Sequence, residues 1–483
     1  MVLATSANSA DLPQKVFTKA PPAAPASSWT GFYLFGGGGY GLWTADQQTL
    51  AHSFFTPPAL RAPVQMGGRG YFGTVGGGYD YQFNSSWVAG VFADAQFGDI
   101  NGTVDYLSGQ FVGTTRNKVS YAAGARLGYL VAPNVLSYVN GGYSHAEFSQ
   151  STLLPNDGAS PTFLLPKQSL DGWFIGGGVE HSLDIFGLTV PSLFMKTEYR
   201  LAEYGRKTTG VLALDGTPML LGDTVSFKPY VQTVSTSLVY RFNDGSPAPR
   251  AASTPLYVKA AAAPANWTGF HLSGGGGYAL WAADNQPASA TNNSFMSERV
   301  GGRGYFGTVG GGYDWQVSPK WVAGVFADAQ FGDIKGTIYG VPDLFTFGST
   351  SNQLNYAAGV RIGYLVAPNV LSYVNGGYSR ADFSAADIRL ASDNSPTGYS
   401  IPKQSFDGWF IGGGVEHSFD IVGISAPGWF MKTDYRVAEY GRKTTALLLN
   451  GAPSGDYTTT FKPYVQTVST SLIYRFNWDG AKR

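Results

Sequence analysis

The chain has 483 residues, no cysteine, 65 glycines, 15% aromatic and 13% charged residues, and a formal net charge of zero. The lack of cysteine excludes disulfides, thiolate catalysis and Cys-ligated metals, and the zero net charge gives no field that would attract nucleic acid or anionic lipid. Low charge with many aromatic residues excludes ordinary disorder. No apolar run approaches the ~18 residues of a membrane-spanning helix, but the strands of a membrane β-barrel hide their apolar residues in alternation.

The N-terminal stretch 1–28 predicts a processed leader. Ala7 and Ser9 place small residues at the −3 and −1 positions of a signal-peptide cleavage site before Ala10, although the positively charged start is lacking. We expect the remnant of a secretory signal peptide whose start lies upstream, followed by a periplasmic leader.

Residues 29–243 contain eight strand-like segments joined by connections of alternating length. The connections after the second, fourth and sixth segments are short, whereas the others are long and rich in Gly, Ser, Thr, Pro and Asn. Short turns on one rim and long loops on the other are typical of outer-membrane barrels. The predicted segments are 29–43, 68–83, 86–98, 118–130, 135–148, 170–183, 193–204 and 228–242, and the predicted long loops are 44–66, 99–117, 149–169 and 205–226.

The third and fourth segments have the alternation of strands that face lipid. One face of the third runs from Trp87 to Phe97, and one face of the fourth runs from Tyr121 to Tyr129, with small apolar residues between the aromatics. Aromatic residues at both ends match a lipid-facing strand that crosses two interfaces. A soluble β-sandwich or an adhesin-type repeat, the alternative, would more often have its bulkiest residues in mid-strand.

The stretch Phe227–Asn243 predicts the closing strand of a barrel. From Val234 to Phe242 an apolar face alternates with a polar face, on which Val239 is the one apolar residue. Ten residues at ~3.3 Å each and a tilt of ~40° cover roughly 25 Å, the height of the apolar band of an outer-membrane barrel.

The opposite faces of the strands carry acids and bases in balance. An eight-stranded barrel is only wide enough to be filled by side chains, and buried charges must be paired. We therefore interpret these residues as a self-neutralising ionic core in preference to a selectivity ring or a catalytic cluster. We expect inward glycines to make room for the long charged side chains, at Gly124, Gly128, Gly176 and Gly178. The predicted set is Asp80, Asp94, Arg126, Glu180, Lys196, Glu198, Arg200 and Arg241 in the first unit and Asp314, Asp328, Arg361, Glu416, Lys432, Asp434, Arg436 and Arg475 in the second.

The whole unit occurs twice. WVAGVFADAQFGDI at 87–100 recurs unchanged at 321–334, and the Pro/Ala-rich linker 244–266 resembles the leader of the first unit. The duplication therefore copied a complete unit with its leader. We predict an all-β fold of two tandem eight-stranded, up-and-down antiparallel transmembrane β-barrels at 29–243 and 267–477, with a tail at 478–483. One sixteen-stranded barrel is the alternative.

Motifs for enzymatic or metal chemistry are absent from the sequence. It contains no G-x-S-x-G, H-E-x-x-H, P-loop or Ca²⁺-loop spacing, and the Gly-rich run 36–41 lacks the Lys-Ser/Thr of a phosphate loop. His181 and His417 are the one histidine pair repeated between the units, and they could ligate haem or a metal. A lone histidine near a rim is more often a solvated interfacial residue, and we predict no enzyme and no cofactor.

Several motifs together resemble those of a known family: the ADLP start, the K-A-P leader, WTGFY at the first strand, YAAGARLGYLVAP and the closing SLVYRF. With these motifs each unit resembles the alphaproteobacterial outer-membrane proteins of the RopB-like and haemin-binding-protein-like group, related to OmpA-type and opacity-type barrels. The chain departs from that group in its duplication and in the residues Asn477–Arg483 that follow Phe476. A terminal aromatic residue is what the barrel-assembly machinery is expected to read.

The resemblance implies an abundant protein of the cell outer membrane of a Gram-negative bacterium. It implies a role in envelope integrity, or a weakly porin-like role, with variable surface loops. The implied partners are outer-membrane lipid, lipopolysaccharide and the barrel-assembly machinery, without nucleic acid. A surface receptor that binds haem or host matrix through its loops is one alternative, and a sixteen-stranded diffusion porin is another. A lipid-modifying enzyme would need a Ser-His arrangement, and none stands out.

Overall fold

The computed structural model describes residues 28–52, 59–132, 134–183, 190, 192–243, 266–290, 295–367, 369–419, 424 and 426–476. The predicted leader, linker and tail lie outside these residues, apart from Ser28 and Asn266. Most of the described residues are in antiparallel strands. Within the described part of the chain, no helix is long and apolar enough to cross a membrane.

The first repeat forms a closed barrel. Its strands are β1 (Gly31–Ala51), β2 (Ala59–Leu60), β3 (Val64–Gln82), β4 (Trp87–Tyr106), β5 (Phe111–Ala132), β6 (Val135–Phe148), β7 (Ser151–Pro155), β8 (Phe163–Leu165), β9 (Gln168–Ser182), β10 (Leu193–Tyr204), β11 (Lys207–Gly210), β12 (Leu212–Ala213) and β13 (Thr224–Asn243). The wall runs β1-β3-β4-β5-β6-β9-β10-β13, each strand antiparallel to the next. It closes where β13 pairs with β1, from Gly31↔Asn243 to Leu50↔Thr224.

The second repeat closes in the same way. Its strands are β14 (Gly269–Ser289), β15 (Glu298–Gln316), β16 (Trp321–Tyr339), β17 (Thr346–Ala367), β18 (Val370–Phe383), β19 (Ala386–Leu390), β20 (Pro396–Ile401), β21 (Gln404–Ser418), β22 (Trp429–Tyr440), β23 (Lys443–Leu449) and β24 (Ala452–Arg475). β14 pairs with both β15 and β24, while β13 takes β1 as its partner. The chain therefore folds into two eight-stranded barrels, and the alternative of one sixteen-stranded barrel is wrong.

The two ends of each barrel differ. Tight connections lie at the end that carries Gly31 and Asn243, which we call the short-turn end; at one of them Asn84 Oδ1 accepts hydrogen bonds from the backbone N–H groups of Ser86 and Trp87, both at 2.8 Å. The predicted lipid-facing aromatics Trp87, Phe97 and Tyr121 are exposed on the outer wall. The alternation predicted for these strands is therefore confirmed.

The opposite end, which we call the loop end, differs from the prediction. Most of the predicted loop 99–117 is strand, because β4 and β5 continue beyond the aromatic residues to a four-residue turn, 107–110. In this turn Leu107, Ser108 and Gly109 all have positive φ. The extensions escaped prediction because a bulge between Phe97 and Ile100 shifts the register. In addition, the parts of the strands that extend beyond the membrane do not face lipid on their outer side. They therefore need no apolar residues there, and the alternation that predicts a strand is lost.

The two barrels contact each other side by side along a face that we call the seam. Two pairs of equivalent residues meet there: the rings of Tyr199 and Tyr435 are 5.8 Å apart, and Met66 of β3 pairs with Val300 of β15. A pseudo-two-fold axis passes between both pairs and therefore runs along the barrels. Both loop ends consequently lie on the same side. The sequence analysis did not predict this contact.

Candidate functional site

A closed ring of two arginines and two acids fills the first barrel near its short-turn end. Arg126 donates from Nε to Asp80 Oδ1 at 2.8 Å and from Nη1 to Glu180 Oε2 at 3.0 Å. Arg241 donates from Nε to Glu180 Oε1 at 2.7 Å and from Nη2 to Asp80 Oδ2 at 2.8 Å. Trp29 packs on the arginine–acid ring: the centroid of its indole lies 4.2 Å from the guanidinium carbon of Arg241. Each charge is buried and paired, so the ring is electrically neutral.

The other four predicted charges form a second layer on the loop side of the ring. Arg200 binds Asp94 through two hydrogen bonds of 3.0 and 2.7 Å and donates to Glu198 Oε1 at 2.9 Å. Lys196 Nζ lies 3.6 Å from Glu198 Oε2 and 3.4 Å from the ring centroid of Phe35. A bidentate guanidinium–carboxylate pair is among the strongest polar contacts that proteins make. This layer is also neutral.

An aromatic layer closes the barrel towards its loop end. The ring centroids of Trp43, Phe148 and Phe227 lie 5.2 to 5.9 Å apart. Trp43 is fully buried, and its Nε1–H donates to the carbonyl of Ile100 at 3.0 Å. The indole N–H thus has its partner inside an otherwise apolar layer.

Several neutral residues support the charges, and the sequence analysis missed them. Tyr138 Oη and Asn140 Nδ2 donate to Glu198 Oε2 at 2.8 and 2.9 Å. Gly90 lies against Asp80, where a Cβ would collide with Oδ1. Tyr138 and Asn140 occupy alternate, inward positions on β6, so strand parity was the signal that could have found them.

The four inward glycines named in the prediction make room for neutral groups, whereas Gly90 makes room for a charged side chain, Asp80. A Cβ on Gly124 would lie 2.9 Å from the Phe174 ring, and a Cβ on Gly176 would lie 2.6 Å from Asn140 Oδ1. Gly128 faces Leu136 and Gly178 faces the Tyr138 hydroxyl. At these four positions the expectation was wrong, because rings, an amide and an aliphatic side chain occupy the space beside the glycines.

The second barrel repeats the same arrangement. Arg361 donates to Asp314 at 2.8 Å and to Glu416 at 3.0 Å. Arg475 contacts the same two acids at 2.8 and 2.7 Å. The sixteen predicted residues all lie inside the two barrels, and all are buried except Asp328 and Lys432, which are partly buried.

In the second barrel, three substitutions in or beside the charged layers introduce a smaller side chain: His271 replaces Tyr33, Ser273 replaces Phe35 and Asp434 replaces Glu198. Arg436 still binds Asp328 at 3.0 and 2.7 Å, but the hydrogen bond between Arg200 and Glu198 has no counterpart among the described residues. The side chains instead surround a small polar cavity, lined by Thr308, Asp328, Gln330, Lys432, Asp434, Arg436, Thr467, Ser469 and Ser471.

The repeated histidines, His181 and His417, occupy equivalent positions near the ends of β9 and β21. His181 is buried, with Nδ1 3.2 Å from the carbonyl of Ser182, so the prediction that it is a solvated interfacial residue was wrong. His417 makes the same contact with Ser418 at 3.3 Å. No group of three or more His, Cys, Asp or Glu residues that could hold a metal ion occurs among the described residues.

Comparison with known families fits this geometry. Residues 16–242 and again 251–480 match the family described as "Outer membrane protein beta-barrel domain". The chain belongs to this family. It is therefore an outer-membrane β-barrel protein of a Gram-negative bacterium, built from two tandem copies of the domain. By the usual orientation of such barrels, the short-turn ends face the periplasm and the loop ends face outward.

Two curated relatives agree with this assignment. Over 245 residues the outer-membrane barrel protein is 25% identical to the 31 kDa outer-membrane immunogenic protein of Brucella melitensis and to that of Brucella suis. The alignment covers 50% of this chain and 95% of each relative. These relatives therefore have the length of one repeat.

Solved structures of outer-membrane proteins align more loosely. The toluene transporter TbuX of Ralstonia pickettii is 10% identical, with a TM-score of 0.26, over 94% of this chain and 92% of TbuX. The attachment invasion locus protein Ail of Yersinia pestis is 12% identical, with a TM-score of 0.18, over 42% of this chain and 99% of Ail. At these TM-scores the alignments add nothing to the fold described above.

Proposed function

We propose that the outer-membrane barrel protein is a sealed, non-enzymatic structural component of the envelope. The observation that supports this is the filling of the first barrel by three successive layers: the arginine–acid ring, the second ionic layer and the aromatic layer. Together they occupy the interior from the short-turn end to the loop end. The second barrel has equivalent layers, its aromatic layer being Trp281, Phe383 and Phe461, around a small polar cavity. A weakly porin-like role is therefore not part of the proposal.

Passage of a solute would require the ionic layers to separate. Arg126 and Arg241 each bridge two acids, so a path through the ring would leave buried charges without partners. Removing one partner from a buried ion pair costs about 3–5 kcal/mol. Two such layers in series make spontaneous opening rare.

The partners we propose follow from the outer surface. Lipid contacts the exposed apolar band, lipopolysaccharide contacts the outer-leaflet side, and the barrel-assembly machinery inserts both barrels. The extended hairpins at the loop ends, including 99–117 and its counterpart 333–352, are then the parts that meet the surroundings.

Recording of single-channel currents from the purified protein in planar bilayers tests the proposal. We expect no stable conductance steps under conditions in which a general porin, the positive control, gives large steps. A double variant, Arg126→Ala/Arg241→Ala, removes both bases from the first ring and should give small or flickering currents if it folds. Large, stable steps from the unaltered protein would overturn the proposal.

A further inference from the structure

The seam between the barrels is held by ion pairs that each repeat supplies in the same way. Arg69 of the first barrel binds Asp284 of the second through two hydrogen bonds of 2.9 and 3.0 Å. Arg303 of the second binds Asp46 of the first through two of 2.8 Å. Arg303 is the repeat counterpart of Arg69, and Asp284 is the counterpart of Asp46. The two pairs are therefore the same interaction made twice.

Other contacts across the seam have the same reciprocity. The guanidinium carbon of Arg69 lies 3.6 Å from the ring centroid of Tyr464, and that of Arg303 lies 3.7 Å from the ring centroid of Tyr230. Planar stacking of arginine on an aromatic ring adds to the ion pair that the same guanidinium makes.

Backbone groups near the loop ends follow the same rule. The N–H of Gln65 donates to Thr337 Oγ1 at 2.7 Å, and the N–H of Arg299 donates to Thr103 Oγ1 at 2.8 Å. Gln65 corresponds to Arg299 in the repeat, and Thr103 corresponds to Thr337. In each case a residue of one repeat contacts a second residue of the other repeat, and the same two positions contact each other with the repeats exchanged. A surface with this reciprocity is self-complementary.

Closer to the short-turn ends, at the height of the apolar band, the seam buries polar side chains that face outward from each barrel. Gln232 and Gln466 lie on the outer wall by strand parity, yet both are fully buried. The Gln466 amide donates to the Tyr435 hydroxyl of the same barrel. On an isolated barrel these two glutamine side chains would face lipid instead of the neighbouring barrel, and polar groups in contact with lipid are costly. The outer wall is therefore built here for a protein neighbour.

We propose that the seam is a docking surface whose occupant is a second copy of the same repeat. The contacts themselves hold the two barrels together, and the linker only raises the concentration of one barrel near the other. The duplicated chain is, on this view, a fused dimer of one self-complementary unit. The proposal concerns assembly and stands apart from the proposed sealed interior.

Cleavage of the linker in the intact, folded protein tests this proposal. A protease site is inserted within 244–265, the purified protein is cut in detergent with an excess of empty micelles, and the fragments are separated by size. We expect the two barrels to elute together after cutting, at the position of the uncut chain. Separation of the fragments from the otherwise unaltered protein would overturn the proposal.

A charge-reversal variant shows whether the reciprocal pairs are responsible. Asp46→Arg/Asp284→Arg places like charges opposite Arg303 and Arg69, and we expect the cut fragments to separate. The matched control, Asp99→Arg/Asp333→Arg, reverses two equivalent exposed acids. Their ion pairs, with Arg116 and Lys335, each stay within one barrel. This control should elute like the unaltered protein. Heat-modifiability on gels verifies that each fragment is folded. Co-elution of the folded Asp46→Arg/Asp284→Arg fragments would overturn the assignment to these ion pairs.

Discussion

Arg241 Nη2 lies 2.8 Å from Asp80 Oδ2, although the two residues are 161 positions apart in the chain. Arg241 is on β13, the last strand of the first barrel, and Asp80 is on β3, with β1 between them. The ion pair therefore crosses the junction where the barrel closes. The same connection recurs between Arg475 and Asp314, at 2.8 Å, in the second barrel. Closure is thus stabilised inside each barrel as well as by the strand ladder.

Arg126→Ala should destabilise the first barrel by about 3–5 kcal/mol, because Asp80 and Glu180 each lose one of their two buried cationic partners and the ring is left with a net negative charge. The measurement is urea-induced unfolding in lipid vesicles, together with the temperature at which the folded gel band is lost. Arg361→Ala is the equivalent change in the second barrel and should have a similar effect there. Unchanged heat resistance of Arg126→Ala would show that the buried acids of the ring do not need this arginine for stability.

The acid in the second layer should control stability differently in the two barrels. Glu198→Asp shortens the side chain that reaches Arg200 and should destabilise the first barrel by about 1.5–3 kcal/mol, the range for a hydrogen bond to a charged group. Asp434→Glu adds a methylene where the second barrel has a small polar cavity and should be neutral or stabilising. Unfolding midpoints of the two variants test this, and a loss of stability in Asp434→Glu equal to that in Glu198→Asp would contradict the comparison.

Gly90→Ala should destabilise the first barrel, because the new Cβ would collide with Asp80 Oδ1 and push that carboxylate out of the ring. Overpacking of this kind costs about 1–3 kcal/mol. Gly210→Ala is the matched control, since nothing lies within 4 Å of a Cβ at that position. Equal unfolding midpoints for the two variants would show that Asp80 can move aside freely.

Docking of the two barrels should weaken as the pH rises. Asp105 of the first barrel and Glu298 of the second are both buried in the strand extensions, beyond the exposed aromatics Tyr71 and Phe97. Glu298 reaches across the seam, where Asn156 Nδ2 of the first barrel donates to its Oε1 at 3.4 Å. The backbone N–H of Gly109 donates to Asp105 Oδ1 at 2.5 Å. Burial raises the pKa of Asp105 to about 7. Burial, and secondarily the charge of Asp105, raises the pKa of Glu298 well above its ordinary value.

The sign follows from proton binding. Both acids hold protons more tightly in the docked state than when exposed. The docked state therefore carries extra protons in a pH window that begins at about pH 4, the ordinary pKa of an exposed carboxyl, and extends through pH 7 and above. Stability of the seam is greatest below this window and declines as the pH rises through it. The fraction of linker-cut protein that stays associated at pH 5 and at pH 9 measures the effect. Glu298→Gln should flatten the dependence, and an unchanged pH profile in that variant would contradict this origin.

The interior of the barrels could be predicted from the sequence because strand parity has a period of two. Once Trp87 and Phe97 were assigned to the lipid side, Asp94 had to point inward, and the same rule placed Arg126 between Tyr121 and Tyr129. Pairing of these charges followed from the width of an eight-stranded barrel. The partner of each charged residue could not be predicted in this way. The register between strands decides which side chains lie at the same height in the barrel, and parity does not give the register.

The seam and the strand extensions could not be read in the same way. Gln232 falls on the lipid-facing side by parity, and this polar exception was the available signal for a protein neighbour. Asp46 and Arg303 are charged residues of the kind that usually lies on a protein surface. Their pairing depends on the position of the second barrel relative to the first, and no local sequence pattern predicts that position. Beyond the membrane, the outer face of β4 and β5 no longer requires apolar residues, so the strand signal fades there.

The most direct test of the filled, lipid-facing barrel uses the fact that the chain has no cysteine. Single-cysteine variants are made at two adjacent positions on β13: Ser237, which is inward and 2% exposed, and Leu238, which is outward and 53% exposed. In vesicles, we expect a probe on Leu238→Cys to be quenched by lipid-attached quenchers. We expect Ser237→Cys to resist a small water-soluble thiol reagent until the protein is unfolded. Rapid labelling of folded Ser237→Cys would reveal a water-filled lumen and contradict the account.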